Sequence, residues 1–205
     1  MATSRRKQLT EEMKAAVRNA AASLFAEKGY HSVTMREIAK EAGCSHTAIY
    51  LYFKNKEDLL QQIAIPPLLE LEQRLLAQTN NEALDSMDKI MAAIGEYVVF
   101  CLTHGSLQTV LFTSGSVRVD VVEPELEVNR IRNRLFSHIM SLLQEATQTT
   151  DANRTLNNGR ILVYYLQGFI HTYTDHSEPV ESLLERILPI FNEGIQILVT
   201  GMRNP

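Results

Sequence analysis

The sequence has no tryptophan, two cysteines, six prolines and nine glycines in 205 residues. Cys44 and Cys101 form no CxxC pair, so neither a zinc ribbon nor a dithiol redox motif is supported. No apolar run reaches the ~18 residues of a membrane span; the stretch from Tyr97 to Leu102 is among the longest. The start, Met1-Ala2-Thr3-Ser4-Arg5-Arg6-Lys7, is followed by no apolar segment of the kind a secretory signal requires. These absences predict a soluble cytoplasmic protein with no membrane partner. Glycine-rich phosphate loops, G-x-S-x-G elbows and H-E-x-x-H pairs are missing, which argues against an enzyme and leaves no catalytic residues to assign. Asp85 and Asp88 read as solvated charges at a helix start. Cys101, His104, His138 and His171 fall at no metal-ligand spacing, so no metal and no cofactor is expected.

What is present is a chain 45% hydrophobic and 21% charged, enough to bury a real core. Its net charge of −4 is unevenly placed. Residues 1–56 carry ten Lys/Arg against five Asp/Glu, a net +5, and residues 57–205 carry a net −9. A basic head on an acidic body is a partner for polyanions that whole-chain charge conceals.

Apolar spacings of three and four recur along nearly the whole chain, so the fold class is all-α, with about nine helices. Met13, Val17, Ala20, Ala21, Leu24 and Phe25 share one face of a first helix over 11–28, with Thr10 as its N-cap and Gly29 as its left-handed stop. Thr34-Met35-Arg36-Glu37 spells a capping box for a helix over 35–41 that ends at Gly43. Ser45 caps a third helix over 46–52, and Asn55 caps a fourth. Pro66-Pro67 predicts a kink or break near Ile65, and Asn80-Asn81 ends that helix. Further helices are expected over 82–103, 106–113, 124–147, 152–174 and 180–202. Pro124 and Pro179 suit first helical positions and Pro189 should bend the last helix. Val117–Val122 is read as a loop.

Three short helices, the last two joined by a turn at Gly43, form a helix-turn-helix unit. The run from Thr34 through Gly43-Cys44-Ser45-His46-Thr47-Ala48-Ile49-Tyr50-Leu51-Tyr52-Phe53 to Leu60 resembles the DNA-binding signature of the tetracycline-repressor (TetR) family, and the likeness extends back to Gly29-Tyr30. It departs from the usual pattern at Cys44, where valine is common, and at Thr47, where glycine is common.

The resemblance implies an N-terminal helix-turn-helix DNA-binding domain, residues 1–56, and a C-terminal helical ligand-binding and dimerisation domain, residues 57–205. It assigns base reading to His46, Thr47 and Leu51, whose side chains project from the third helix. Tyr50, Tyr52 and Lys56 become phosphate contacts, Thr34 and Ser45 caps whose helix starts face the DNA backbone, and Arg36 a phosphate or base contact. Arg5, Arg6 and Lys7 become a flexible basic arm. Tyr50 and Phe53 can equally serve as core aromatics.

In the body, Tyr97, Phe100, Cys101, His104, Gln108, Phe112, Asn129, Arg132, Phe136, Met140, Tyr165, Phe169 and Tyr173 set polar groups among apolar ones, as a small-molecule site requires; Tyr97, Phe100, His104, Gln108, Phe112, Phe136, Tyr165 and Phe169 form the candidate ligand set. Residues 161–166 are apolar on every side, which calls for cover on more than one face. Leu162, Leu166, Leu184, Leu188, Phe191 and Ile195 are the candidate dimer interface. The function expected is a homodimeric DNA-binding repressor released from a palindromic operator by a small, largely apolar effector. The alternative is a DNA-binding regulator without a small-molecule ligand, controlled by a protein partner or acting as an activator.

Overall fold

The computed structural model describes residues 2–105, 126–174 and 176–203. Among the described residues there are eight α-helices and no strand: α1 (Ala2–Lys28), α2 (Met35–Glu41), α3 (His46–Ile49), α4 (Lys56–Thr79), α5 (Ser86–Thr103), α6 (Glu127–Thr147), α7 (Ala152–Tyr173) and α8 (Val180–Arg203). The expected helix over 106–113, the loop over 117–122, Pro124 and the candidate ligand residues Gln108 and Phe112 lie outside the described residues.

Contacts divide the chain into two compact units, with the cut between Pro67 and Leu68 inside α4. The sequence places its boundary at 56/57. The first turns of α4 group with the head instead, and Leu59, Leu60 and Ala64 there are fully buried.

In the head, α2 packs against α1 and α3, and its ends are closed by its own sequence. The Thr34 hydroxyl accepts from the Glu37 amide at 3.2 Å, and the Glu37 carboxylate accepts from the Thr34 amide at 2.9 Å. At the other end the Cys44 amide donates to the Ala39 carbonyl and the Gly43 amide to the Lys40 carbonyl. That pair of bonds requires a left-handed residue between helix and turn, and Gly43 supplies it at φ +70°. Val17, Ala21, Phe25, Val33, Ile38, Ala39, Ile49 and Phe53 are buried at 1% exposure or less, so Phe53 is a core aromatic.

Three local expectations are corrected. Thr10 is not an N-cap: α1 continues back to Ala2, and the Thr10 hydroxyl donates to the Arg6 carbonyl one turn earlier. Arg5, Arg6 and Lys7 are accordingly exposed helical residues and not a flexible arm; straight-chain side chains keep most of their rotamers in a helix. Helix α4 runs unbroken through Pro66 and Pro67, so there is no break near Ile65; α8 likewise continues through Pro189. Each proline removes one donor from the ladder, and the turns on either side hold it.

In the body, α5 packs on α6, α7 and α8 and so buries residues on several sides, among them Ile90, Ile94, Val98, Phe100 and Cys101. Asp85 caps it, accepting from the Met87 and Asp88 amides. Asp151 does the same for α7. Helix α8 buries one stripe, Leu183, Ile187, Phe191, Ile195, Val199 and Met202. Each such side chain contributes about 1.5–3 kcal/mol. Arg154 and Arg203 donate to the carbonyls of Met202 and Ala146, supplying donors near the C-terminal ends of α8 and α6.

Two features of the body give quantitative expectations. A Cβ at Gly194 would overlap the Tyr165 hydroxyl, which donates to the Phe191 carbonyl at 3.3 Å. Gly194→Ala therefore costs about 1–3 kcal/mol, read as a lower midpoint in urea unfolding; an unchanged midpoint would show that the rings give way freely. The second feature is Glu72, which accepts two bonds from Arg134 at 2.5 and 3.0 Å. Those bonds hold its carboxyl below the ordinary value of 4.5, against the opposing effect of burial. A depressed carboxylate stabilises above its unfolded pKa and loses that contribution as pH falls through its folded one. Glu72→Gln should remove about 1 kcal/mol at pH 7, since Arg134 stays half in solvent, and should flatten the loss of stability below pH 4.5 in acid titrations of the unfolding midpoint.

Candidate functional site

The amino-terminal site is built on α3. Ser45 opens it, its hydroxyl accepting from the Ala48 amide at 3.1 Å. The α-ladder ends at Ile49, and the Leu51 and Tyr52 amides then bond three residues back, so the expected helix over 46–52 is a four-residue helix followed by tight turns. Ile49 and Phe53 anchor this segment in the core. His46, Thr47, Tyr50 and Leu51 face outward. Leu51 is 78% exposed, more than any other large apolar side chain described. The Tyr50 ring stands edge-on to His46 with centroids 5.2 Å apart, and Tyr50 is 46% exposed, so it is not a core aromatic. Arg36 is exposed on α2, and Tyr52 is half-buried.

Two members of the expected set have occupied polar groups. The Thr34 hydroxyl both accepts from the Glu37 amide and donates to its carboxylate. The Lys56 ammonium donates to the carbonyls of Tyr30 and Val33, each at 2.8 Å, and approaches that of His31 at 3.4 Å. It also lies 4.4 Å from the centre of the Tyr30 ring. Desolvation lowers its pKa, with Glu37 acting in the opposite direction. In this geometry Lys56 ties the α1–α2 loop to the start of α4. A lone lysine just after an N-cap asparagine gives no hint in sequence of such a contact.

In the body, the candidate ligand residues gather in two places. On α5, Phe100 is buried and stacks on His104 at 4.7 Å, while Tyr97 is hydrogen-bonded to Cys101. Desolvation raises the Tyr97 phenol well above its usual range and the Cys101 thiol to about 12. On α7, Tyr165 stacks with Phe191 at 5.8 Å and Phe169 meets the same ring tilted, at 4.7 Å. Phe136 is half-buried on α6. An open cleft of about 320 Å³ lies elsewhere, lined by Gln78, Met91, Gly95, Glu96, Val99, Leu188 and Asn192. No group of three His, Cys, Asp or Glu among the described residues could hold a metal, and no described helix is long and apolar enough to cross a membrane.

Residues 17–63 match the sequence profile of the bacterial regulatory proteins of the tetR family. The head is a tetR-family regulatory domain. It is 24% identical over 189 residues to the fatty acid metabolism regulator protein of Bacillus subtilis, covering 91% of this chain and 93% of that one. The transcriptional regulator AcrR of Shigella flexneri is 32% identical over 96 residues, 45% of each chain. Among solved structures, FadR from Bacillus subtilis in complex with stearoyl-CoA superposes with a TM-score of 0.61 at 21% identity, covering 91% of this chain and 98% of that one. PfmR from Thermus thermophilus superposes with the same score at 19% identity, covering 87% and 96%. Members of this family are regulators and not enzymes.

For the regulator's expected dimer residues the single chain gives a correction. Leu162, Leu166, Phe191 and Ile195 are 4% exposed or less within the protomer and belong to its own core. Leu184 and Leu188 are half-buried. The large apolar side chains left outside are Leu156, Ile161 and Tyr164 on α7 and Ile190 and Ile197 on α8, exposed at 49%, 44%, 68%, 62% and 66%. They sit off the buried stripes of the same helices. The signal in sequence is their offset from the longer apolar stripe, because the longer stripe serves the core.

The regulator's Lys56 gives a direct test. Lys56→Met should lower the head's stability by about 1–3 kcal/mol, by leaving two carbonyls without their charged donor. The salt slope of DNA binding should stay unchanged. A slope reduced by about one would put the ammonium on a phosphate instead.

Proposed function

We propose that this chain is a homodimeric repressor that binds a nearly palindromic operator and is released from it by a small, largely apolar effector. The observation that carries the reading is the outward face of α3, where His46, Thr47, Tyr50 and Leu51 stand clear of a segment pinned by Ile49 and Phe53. A helix held in this way can enter a major groove. Thr47 and Leu51 offer methyl groups to thymine, and His46 offers a ring nitrogen to a base edge. Tyr50 and Arg36 offer donors to phosphates, and the basic face of α1 with Arg5, Arg6 and Lys7 adds charge.

Two heads about 34 Å apart would match one turn of the duplex, which requires a two-fold dimer. The outer apolar residues of α7 and α8 supply a self-complementary patch in which Ile161, Tyr164, Ile190 and Ile197 meet their equivalents. The effector reading rests on the aromatic and polar groups gathered around α5, α6 and α7, and on a relative named for fatty acid metabolism and a neighbour solved with stearoyl-CoA. An effector that fits one dimer geometry better than the other shifts the population toward it. Cytoplasmic location follows from this role.

The experiment is a paired measurement of oligomeric state and DNA binding, using an operator fragment selected from random DNA. Ile190→Glu combined with Ile197→Glu should give a folded monomer in sedimentation, with an unchanged helical signal. Its operator affinity should fall on the order of 100-fold or more, because the second head no longer adds to the first. Thr47→Ala should instead alter preference at one base position and leave the salt slope intact. A dimer that survives both glutamates would overturn the interface.

A further inference from the structure

Most of the described arginines of the body meet a carboxylate or a main-chain carbonyl. Arg74 meets Glu96 at 3.6 Å, Arg130 meets Glu127 at 3.1 Å, Arg134 meets Glu72, and Arg186 meets Glu178. Arg154 and Arg203 donate to main-chain carbonyls, and Arg160 lies in solvent. Arg132 is different. It is part-buried on α6, and its Nη1 donates to the Asn129 Oδ1 at 2.8 Å, one turn earlier on the same helix. No carboxylate of the described residues forms an ion pair with it. Asn129 is only 2% exposed, so the residue that steers the guanidinium is itself fixed.

The surroundings of Arg132 are apolar apart from a few chosen groups. Its helix neighbours Ile131 and Leu135 are buried, and α6 packs against α5, whose residues Val98 and Phe100 are also buried. The same helix brings the Tyr97 phenol, hydrogen-bonded to Cys101, close enough to feel the charge of Arg132. Removing a guanidinium from water without a counter-charge is costly. That cost is recovered when an anion arrives, and an arginine fork with a phenol beside it is a donor set for carboxylate or phosphate oxygens.

We infer that Arg132, steered by Asn129 and flanked by the Tyr97 phenol, holds the anionic head of an otherwise apolar effector. This rests on the effector reading above and narrows it to amphipathic anions, with the carboxylate of a free acid and the phosphates of a coenzyme thioester as the two sources of charge. The Asn129 side chain sets the plane of the fork, so it is a positioning residue.

The test titrates the full-length regulator with stearate, stearoyl-CoA and neutral methyl stearate, by calorimetry and by release of operator DNA. It uses the wild type, Arg132→Gln and Arg132→Lys. At least one anion should bind about tenfold or more tightly than the ester. Arg132→Gln should erase that margin with the ester's affinity unchanged, and Arg132→Lys should keep part of it. Which anion wins distinguishes carboxylate from phosphate. If Arg132→Gln does not fold, the anion-to-ester ratio in Arg132→Lys decides, since a lysine keeps the charge and loses the fork. An ester that binds as well as the anions overturns the anchor and leaves the effector reading standing. If none of the three binds or releases DNA, the effector reading falls and the anchor with it.

Discussion

The head depends on what happens at the first residues of α4. Asn55 caps the helix by accepting from the Asp58 amide at 2.8 Å, and the Asp58 carboxylate returns to the Lys54 amide at 2.9 Å. Between them Lys56 reaches across to the carbonyls of Tyr30 and Val33. Those carbonyls belong to the loop that delivers the chain into the Thr34 capping box. One ammonium therefore fixes the entry to α2, and α2 carries the turn that sets α3. Helices of four and seven residues are too short to hold themselves, because nucleation costs more than so few hydrogen bonds return. Caps and cross-ties at their ends replace the missing length.

That dependence explains which parts of the head were legible in sequence. Thr34 with Glu37, Ser45, Asn55, Gly29 and Gly43 each act through residues within five positions of themselves, so a local pattern specifies them. The capping box, the left-handed glycines and the buried Phe53 all appear where the sequence puts them. Lys56 acts across 23 to 26 residues, and no local pattern encodes that reach. Thr10 failed for a related reason. A threonine inside a helix and a threonine capping one look alike in sequence. The helix formers before it extend α1, and its hydroxyl turns to the Arg6 carbonyl.

The body was legible in kind but not in allocation. Its helices and the caps Asp85 and Asp151 follow local rules. Assigning Leu162, Leu166, Phe191 and Ile195 to a partner did not, because α7 and α8 are apolar on two faces and periodicity alone does not rank them. Burial ranks them. The stripe from Leu183 to Met202 recurs at nearly every turn and closes the protomer's own core, whereas Ile190 and Ile197 stand two turns apart on the other side. A continuous stripe buries more area per turn, so folding claims it first and association receives what is left.

The same ordering applies to charge. Among the described residues of the acidic body, Arg74, Arg130, Arg134 and Arg186 pair with carboxylates near the surface, where an ion pair is worth little but is also cheap to make. Arg132 breaks the pattern at the place where the pattern matters most, on a part-buried face opposite Tyr97. A protein under selection for stability alone would fill that position with an apolar side chain, since such replacements are commonly neutral or stabilising. Retaining a steered guanidinium there makes sense when something other than the fold supplies its partner. The acidic surface would also discourage anions from lingering elsewhere on the body. The net −9 of residues 57–205 and the part-buried Arg132 are then two parts of one arrangement: repulsion outside and a matched donor set within.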